Sequence, residues 1–461
     1  MKTQRQGNVA GAVAALQAIF GDRVSILPEI CAAHGRDLSF HEGSSPDAVV
    51  FPATTAEVAA IARLCSEHHV PMIPYGAGTS LEGHVVAVQG GVSVDLSSMN
   101  QILDIGQQDL DCLVEAGVTR QQLNTDLRDT GMFFPVDPGA DATFGGMCAT
   151  GASGTNAVRY GTMRENVLGL TIVLPSGEIV KTGGRARKSS AGYDLTRLFI
   201  GSEGTLGFIT EVRLRLTGIP ESISAGRCAF DTIEGAVNAV ILTIQMGLPV
   251  ARIELLDAHA IKGCNLYSHL EMEEKPTLFL EFHGTAQSVA EQAERFGEIA
   301  ADHGGGAFTW ATREEDRNRL WTARHNAFFA GLGMRPGCKA LTTDVCVPIS
   351  RLADCILETK ADIGDSPMIA PLVGHVGDGN FHLIFLIDPD NPDEEREAHR
   401  LNDRLVERAL AMGGTCTGEH GIGLGKKALL EKEHGSSMGL MRVLKQAIDP
   451  QDLMNPGKIL P

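Results

Sequence analysis

The sequence has few aromatic residues, a deficit of positive charge and no long apolar run. Phe, Trp and Tyr make up 5% of its 461 residues, whereas glycine occurs 53 times. No apolar stretch approaches the roughly 20 residues needed to cross a bilayer, so no transmembrane helix is predicted. The formal charge of −18 disfavours nucleic acid and anionic membrane surfaces as partners. The excess of glycine indicates many tight loops, as around a large cofactor.

The ten cysteines form no Cys-x-x-Cys pair, which argues against a zinc ribbon and against an iron–sulfur cluster. Scattered cysteines are typical of a reduced protein. The start of the chain lacks a basic region followed by an apolar core, so no secretory signal is predicted. We expect a cytoplasmic protein, and leave open both a homodimer and peripheral contact with the inner face of a membrane.

The chain is long enough for two domains, and its texture changes at Pro220. Residues 46–219 alternate short strands, helices and glycine turns. Residues 220–435 place longer helices between strands, which predicts an α+β domain. Residues 1–45 form a helical lead-in before them, and residues 436–461 a C-terminal segment after them.

Three glycine-rich segments lie at residues 74–83, 138–154 and 201–207. Small residues with unpaired N–H donors suit a dinucleotide that lies across a domain. None of the segments is a G-x-G-x-x-G with an acidic residue at Rossmann spacing, and a lysine-bearing phosphate loop is absent. The pattern therefore disfavours an NAD-linked dehydrogenase.

A hairpin is predicted around Asp378-Gly379, because a type I′ turn needs positive φ at both central residues. With the turn centred there, His375 faces His382 on the opposite strand and the two imidazoles share a face. Two imidazoles held in that way can bind one divalent metal. A pair of half-buried structural histidines is the alternative.

Glu419 and His420 follow in a glycine-rich stretch. Glu419 could complete a His/His/Glu set that leaves positions open for substrate, and His420 could take a proton. Neighbours on an extended backbone point to opposite faces, but the glycines at 418, 421 and 423 permit a bend that would turn both inward.

Six motifs resemble, in the same order, those of the flavin-dependent D-2-hydroxy acid dehydrogenases of the vanillyl-alcohol oxidase type. They lie at residues 74–83, 138–161, 201–209, 374–382, 418–421 and 455–458, and the resemblance runs from about residue 47 to residue 461. It implies an α+β fold with a two-part FAD-binding domain, an inserted ferredoxin-like cap domain and a C-terminal segment that returns to the flavin. It also implies FAD bound without a covalent link.

The resemblance assigns roles to individual residues. His375, His382 and Glu419 would bind one zinc, manganese or iron ion, and His420 would act as the base. Arg324 would clamp the substrate carboxylate with its planar fork, with a structural ion pair as the alternative. The residues that would bind FAD are Pro74, Gly76, Ala77, Gly78, Thr79, Ser80, Leu81, Gly83, Pro138, Gly139, Thr143, Gly145, Gly146, Ala149, Gly151, Ser153, Gly154, Tyr160, Glu203, Gly204, Gly207, Ile209 and Asn455.

Residues 321–327 and 335–348 resemble the branch of the family that oxidises D-lactate with a cytochrome or a quinone. The relatives that oxidise D-2-hydroxyglutarate carry a Thr and a Lys where this chain has Phe328 and Thr342, so a second carboxylate would lose both partners. We therefore expect oxidation of a small D-2-hydroxy acid, such as D-lactate to pyruvate, by hydride transfer to FAD N5.

The electrons would pass to an external quinone, cytochrome or electron-transfer flavoprotein. Three alternatives stay open at this point: a glycolate oxidase catalytic subunit, a D-2-hydroxyglutarate-type dehydrogenase, and a flavin-binding assembly subunit without chemistry.

Overall fold

The computed structural model describes residues 7–311, 313–364 and 366–461. Its internal contacts divide the chain into two units. The first unit combines the chain up to Ser153 with Gly161–Ile219 and Glu419–Pro461. The second unit combines Gly154–Tyr160 with Pro220–Gly418. Both units are therefore discontinuous in sequence.

The elements up to residue 219 are mostly short. They are α1 (Val9–Phe20), β1 (Val24–Ser25), α2 (Pro28–Ala33), β2 (Ala48–Val50), α3 (Thr55–Glu67), β3 (Met72–Tyr75), β4 (Val92–Asp95), β5 (Ile102–Gly106), β6 (Asp111–Glu115), α4 (Arg120–Asp126), β7 (Met132–Phe133), α5 (Phe144–Thr150), α6 (Ala157–Tyr160), α7 (Met163–Asn166), β8 (Val167–Val173), β9 (Ile179–Lys181), α8 (Leu195–Phe199), β10 (Phe208–Arg215) and β11 (Thr217–Gly218).

The later elements are longer. They are β12 (Ser222–Ala229), α9 (Ile233–Gln245), β13 (Val250–Leu256), α10 (Ala258–Ser268), β14 (Thr277–Gly284), α11 (Ala286–Asp302), β15 (Thr309–Ala311), α12 (Glu314–His325), α13 (Ala327–Gly333), β16 (Lys339–Thr342), β17 (Val345–Cys346), α14 (Leu352–Ile363), β18 (Leu372–His375), β19 (Asn380–Ile387), α15 (Pro392–Ala411), α16 (Lys427–His434) and α17 (Ser437–Ile448). Among the described residues, no helix is both long and apolar enough to span a bilayer.

The first unit contains a four-stranded sheet in the order β1-β2-β4-β3 and an antiparallel five-stranded sheet in the order β5-β6-β10-β8-β9. Val24 of β1 pairs with Val50 of β2, so the residues before 46 are part of this unit rather than a separate lead-in. Helix α3 begins where the Thr54 hydroxyl accepts the Glu57 N–H. Its buried face packs into the core of the smaller sheet.

The second unit is built on a ferredoxin-like arrangement. Strands β15-β12-β14-β13 are adjacent in that order, and each neighbouring pair is antiparallel. With α9 after β12 and α11 after β14, this is the β-α-β-β-α-β pattern of that fold. Strands β18, β19 and β16 extend the sheet beyond β13. The hairpin that carries both predicted metal-binding histidines is therefore part of a continuous sheet.

The boundary after the cap domain lies earlier than the sequence suggested. Residues 419–435 belong to the first unit, because hydrogen bonds hold their start there. The Ile422 N–H donates to the carboxylate of Glu203 at 2.6 Å, and the Leu424 N–H donates to the carbonyl of Glu82 at 2.8 Å. These bonds join residues far apart in the chain, which sequence patterns cannot reveal.

A salt bridge between Arg23 and Glu57 joins the N-terminal elements to α3 and makes a pH-dependent contribution to stability. Nη1 and Nη2 of Arg23 each donate to one carboxylate oxygen of Glu57 at 2.7 Å, and these hydrogen bonds lower the pKa of Glu57 to about 2 from its usual 4.5. We expect Glu57→Gln to lower the free energy of unfolding by about 1 kcal/mol at pH 7, since the pair is partly exposed.

That deficit should be complete above about pH 4.5 and should vanish as the pH falls toward 2, because the depressed carboxyl of the folded state is then protonated. Urea unfolding of both proteins across this range measures the difference. If the deficit does not change with pH, it comes from altered packing of the side chain rather than from the loss of its charge.

Candidate active site

The three glycine-rich segments meet in the first unit. A Cβ on Gly76 would lie 2.5 Å from Oγ1 of Thr143, so the first and second segments touch where a side chain is missing. The N–H of Glu203 donates to the carbonyl of Ala149 at 2.7 Å and so joins the third segment to the second. All three therefore share one place in the fold, although they are distant in sequence.

The loop after β3 offers the donors that a diphosphate needs. Among the described residues, none accepts a hydrogen bond from the N–H groups of Ala77, Gly78 and Thr79. Gly78 has a φ of +65°, which is costly for residues other than glycine. The hydroxyl of Ser80, expected from the sequence to be a donor to the cofactor, instead donates to Asp37 at 2.8 Å. The loop therefore fits a phosphate group through its backbone.

Two side chains assigned to FAD by resemblance make their hydrogen bonds within the protein. Besides the Ile422 N–H, the Glu203 carboxylate accepts the Gly423 N–H at 2.8 Å. The Asn455 amide donates to the carbonyls of Glu203 and His84 at 2.8 and 2.9 Å. Both side chains are almost fully buried. Their polar atoms hold loops together, a role that no local motif indicates.

Other residues assigned to FAD lie at close backbone approaches or in the core. A Cβ on Gly204 would lie 2.8 Å from Pro74, and one on Gly145 would lie 2.8 Å from Ala116. Ile209 is buried in the apolar core of the larger sheet. At these positions packing alone explains the residue type.

Pro138 and Gly139 line a surface pocket of about 310 Å³. Arg120, Arg128 and Asp141 also line it, so the lining has two basic side chains and one acidic one. These two predicted residues lie on the surface of the first unit, where a ligand could reach them.

Gly154 and Tyr160 were also assigned to FAD, but they belong to the second unit. The Tyr160 hydroxyl lies 2.6 Å from Nδ1 of His283, whose Nε2 lies 2.8 Å from the carboxylate of Glu281. The same carboxylate accepts the Trp321 indole N–H at 2.6 Å. The side chains of this network come from β14, α6 and α12, which are distant in sequence. No motif around His283 could therefore have indicated it.

The hairpin of β18 and β19 has a different register from the predicted one. His375 pairs with Asn380 rather than with His382, so residues 376–379 form the loop. A type I′ turn needs positive φ at two successive residues, but within the loop only Gly379 has one, at +81°. The shift from Asn380 to His382 is an even number of residues and keeps both imidazoles on one face. Their ring centroids are 5.6 Å apart.

The tautomer of each histidine is set by a hydrogen bond on the same ring nitrogen. Nδ1 of His375 lies 2.9 Å from the Glu254 carboxylate, and Nδ1 of His382 lies 2.9 Å from the carbonyl of Thr343. Since a carbonyl and a carboxylate both accept, Nδ1 carries the hydrogen in each ring. Nε2 is then the ring nitrogen with the lone pair, which is the form in which a histidine can coordinate a metal.

Glu254 also binds the predicted substrate clamp. Arg324 donates through Nε and Nη2 to one oxygen of Glu254, at 3.0 and 2.6 Å, and both side chains are buried. Burial alone would raise the pKa of Glu254, but His375 and Arg324 outweigh it and lower that pKa. The sequence analysis missed Glu254, which lies on β13 without a motif and links Arg324 to His375.

The chain just before Glu419 lies against the histidine hairpin. The Asn380 amide donates to the Asp344 carboxylate at 2.8 Å, and Asp344 also accepts the Thr417 hydroxyl at 2.6 Å. A Cβ on Gly418 would lie 2.1 Å from the amide nitrogen of Asn380. Only glycine permits this approach. Glu419 and His420 are the next residues in the chain and begin the last segment of the first unit.

Comparisons with known proteins agree with this architecture. Residues 46–183 match the family model of an FAD binding domain, and residues 219–459 match that of the C-terminal domain of FAD linked oxidases. A solved structure of 4-ethylphenol oxidase from Gulosibacter chungangensis superimposes with a TM-score of 0.78 at 19% identity, covering 98% of this chain and 97% of that one. The predicted α+β fold of vanillyl-alcohol oxidase type is confirmed.

Among curated proteins, a "Probable D-lactate dehydrogenase, mitochondrial" of Danio rerio is 53% identical over 97% of this chain and 91% of its own length. A "D-lactate dehydrogenase [cytochrome], mitochondrial" of Arabidopsis thaliana is 47% identical over 93% of this chain and 76% of its own. The "Glycolate oxidase subunit GlcD" of Bacillus subtilis is 34% identical over 90% and 89%.

The expected cytoplasmic location is wrong by this comparison, because both of the more similar relatives are named as mitochondrial. The absence of zinc-type cysteine spacing and of a secretory pattern did not separate those two locations. The predicted membership of the flavin-dependent dehydrogenases is confirmed by the two matching domain models and by the sequence identity with these relatives. The chain belongs to the FAD-linked oxidases and is an FAD-dependent oxidoreductase.

Proposed function

We propose that this protein oxidises a small D-2-hydroxy acid, with D-lactate to pyruvate as the best match. The observation that carries the proposal is the pair His375 and His382, which share a face and have the same tautomer imposed from outside. The names of the relatives from Danio rerio and Arabidopsis thaliana support D-lactate as the substrate. A subunit that only bound flavin would have no use for such a pair.

FAD, when bound, supplies the acceptor for the hydride that leaves Cα of the substrate. The backbone N–H groups of residues 77–79 would bind its diphosphate, next to the second and third glycine-rich segments. Glycine and small residues at these positions leave room for the cofactor. We further propose that the link is non-covalent.

A divalent ion of zinc, manganese or iron, when bound, acts as a Lewis acid on the substrate oxygen. His375 and His382 would hold it through Nε2, and Glu419 would add a carboxylate. Gly418 packs against Asn380, which pairs with His375. Consecutive Cα atoms are about 3.8 Å apart, so Glu419 cannot lie far from this hairpin.

His420 would accept the hydroxyl proton of the substrate, for which a neutral imidazole is suited at neutral pH. Arg324 would bind the substrate carboxylate while it neutralises Glu254, since a guanidinium has five donors and the Glu254 contacts involve only Nε and Nη2. Arg324 would thus stabilise the charge of the substrate carboxylate, and the metal would stabilise the charge that develops on the alkoxide.

Two residues of the second unit favour a monocarboxylate. Phe328 packs against the apolar core of the second unit, and Thr342 is a neutral strand residue paired with Ile384. Neither can neutralise a second carboxylate. Glycolate is the second candidate, because one methyl group changes binding by only about 1–3 kcal/mol and the Bacillus subtilis relative is named for it.

The electrons would leave through an external acceptor. The name of the Arabidopsis thaliana relative supports a cytochrome, and a quinone or an electron-transfer flavoprotein are the other classes to test. Steady-state reduction of cytochrome c, a soluble quinone and an electron-transfer flavoprotein by D-lactate would rank them.

Anaerobic mixing with a panel of 2-hydroxy acids tests the substrate. We expect D-lactate to bleach the flavin band near 450 nm, with much slower bleaching by L-lactate and D-2-hydroxyglutarate. Stopped-flow absorbance gives the rate constant for each acid. Faster bleaching by D-2-hydroxyglutarate would overturn the interpretation of Phe328 and Thr342, and faster bleaching by glycolate would favour the second candidate.

A further inference from the structure

Glu203 is an unusual buried carboxylate. It has a φ of +52°, which is uncommon for a residue with a side chain, and its side chain is 3% exposed. One oxygen accepts the N–H of Ile422 at 2.6 Å and the other accepts the N–H of Gly423 at 2.8 Å. Glu203 therefore has an unfavourable backbone conformation. Its carboxylate binds the stretch of chain that starts two residues after His420.

A second buried group compensates the charge of Glu203. Nε2 of His84 lies 3.1 Å from its carboxylate, at ion-pair distance although not aligned for a hydrogen bond. Burial alone would raise the pKa of Glu203, but His84 and the two backbone donors outweigh it and lower that pKa. Asn455 then ties the backbone carbonyls of both residues together. The pair is thus enclosed and fixed on both sides.

The stretch of chain after His420 requires glycine at two positions. Gly421 has a φ of +84°, and a Cβ there would lie 2.7 Å from the Glu203 carboxylate and 2.9 Å from Nε2 of His84. Gly423 has a φ of +48°, and a Cβ there would lie 2.0 Å from the carbonyl of Glu82. Only glycine fits at these two positions, so the backbone after His420 packs directly against the Glu203 carboxylate and the Glu82 carbonyl.

We propose that Glu203 is a positioning residue for His420, acting through the backbone of residues 421–423, and does not bind FAD. The inference rests on the proposed role of His420 as the base. The Glu203 carboxylate already has His84 and two backbone N–H groups as partners, and those two N–H groups, held at fixed distance, set where the preceding side chain starts. Misplacing a catalytic group by about 1 Å can cost about 100-fold in rate.

The test is a double-mutant cycle with Glu203→Gln and His420→Ala, measured as anaerobic flavin reduction by D-lactate. In the otherwise unchanged protein, Glu203→Gln should slow reduction by about 10- to 100-fold, with the D-lactate dissociation constant changed less than about threefold. In the His420→Ala protein it should change the rate by less than about twofold, because the group that it positions is gone. The FAD content per chain should stay the same.

Hydrogen exchange gives a readout that does not depend on activity. In the FAD-loaded Glu203→Gln protein the amides of Ile422 and Gly423 should exchange faster, since an amide side chain offers one acceptor in place of two. Glu57→Gln is the matched control in the same unit. It removes a carboxylate that also accepts a backbone N–H and binds a cation, and it should leave the reduction rate and these two amides unchanged.

The outcomes separate the two proposals. If Glu203→Gln slows reduction equally in both backgrounds, or if FAD is lost, Glu203 does not act through His420 and the inference is wrong. If His420→Ala alone reduces its flavin at the original rate, the base assignment itself fails. If Glu203→Gln does not fold, Glu203→Asp takes its place in the cycle, and a shorter carboxylate should give a partial loss that also disappears in the His420→Ala background.

Discussion

Replacing His382 with alanine should slow flavin reduction by D-lactate at least about 1000-fold while the protein remains yellow. The exchange removes one of two imidazoles that share a face of the hairpin, and a single remaining histidine binds a divalent ion weakly. Lewis-acid stabilisation of the developing alkoxide is worth several kcal/mol, and each 1.4 kcal/mol corresponds to a factor of ten. Anaerobic stopped-flow absorbance at 450 nm measures the rate, and elemental analysis measures bound metal.

His259→Ala is the control, because this histidine lies in the same unit and is 64% exposed. It should leave both the rate and the metal content unchanged. The metal assignment is wrong if the His382→Ala protein reduces its flavin at the original rate. It is also wrong if the unchanged protein keeps its full activity after a chelator has removed its metal.

Replacing Arg324 with methionine should lower kcat/KM for D-lactate by about 100-fold or more. A hydrogen bond to a charged group contributes about 1.5–3 kcal/mol, and a bidentate clamp provides two. The same change leaves Glu254 buried with one cationic partner fewer, so we also expect the free energy of unfolding to fall by up to about 3–5 kcal/mol. Steady-state kinetics and urea unfolding measure the two effects separately.

Arg324→Lys distinguishes a clamp from a purely structural ion pair. An ammonium group can still neutralise Glu254, so most of the stability should return, but it lacks the planar fork that binds a carboxylate in two places. We therefore expect KM for D-lactate to stay high in this variant. A normal KM together with restored stability would mean that Arg324 serves only to neutralise Glu254.

The histidine hairpin shows what the sequence can and cannot specify. That both imidazoles lie on one face was predictable, because alternation along a strand depends only on whether a spacing is even or odd. The register was predicted wrongly, because Asp378-Gly379 is a local signal and the loop is set by a third strand. Val345 pairs with Phe381, and the Val347 N–H donates to the carbonyl of Gly379.

The partners of the predicted residues were not predictable. Glu254 has no motif around it, yet it binds His375 and Arg324 across 70 or more positions of the chain. The resemblance assigned Glu203 to FAD, but the two backbone N–H groups that donate to its carboxylate lie more than 200 positions away. Local patterns identify which side chains carry chemistry, whereas the groups that orient them are brought in by tertiary structure.

Residues 453–455 form hydrogen bonds to the N-terminal part of the first unit, and this constrains the order in which the two units can fold. The Met72 N–H donates to the carbonyl of Leu453, and Asn455 donates to the loops that contain His84 and Glu203. Domains generally fold as units while the chain is being synthesised. Here the loops of the first unit gain these contacts only when residues 453–455 have been synthesised, so the first unit can complete its packing only after the whole of the second unit has been made.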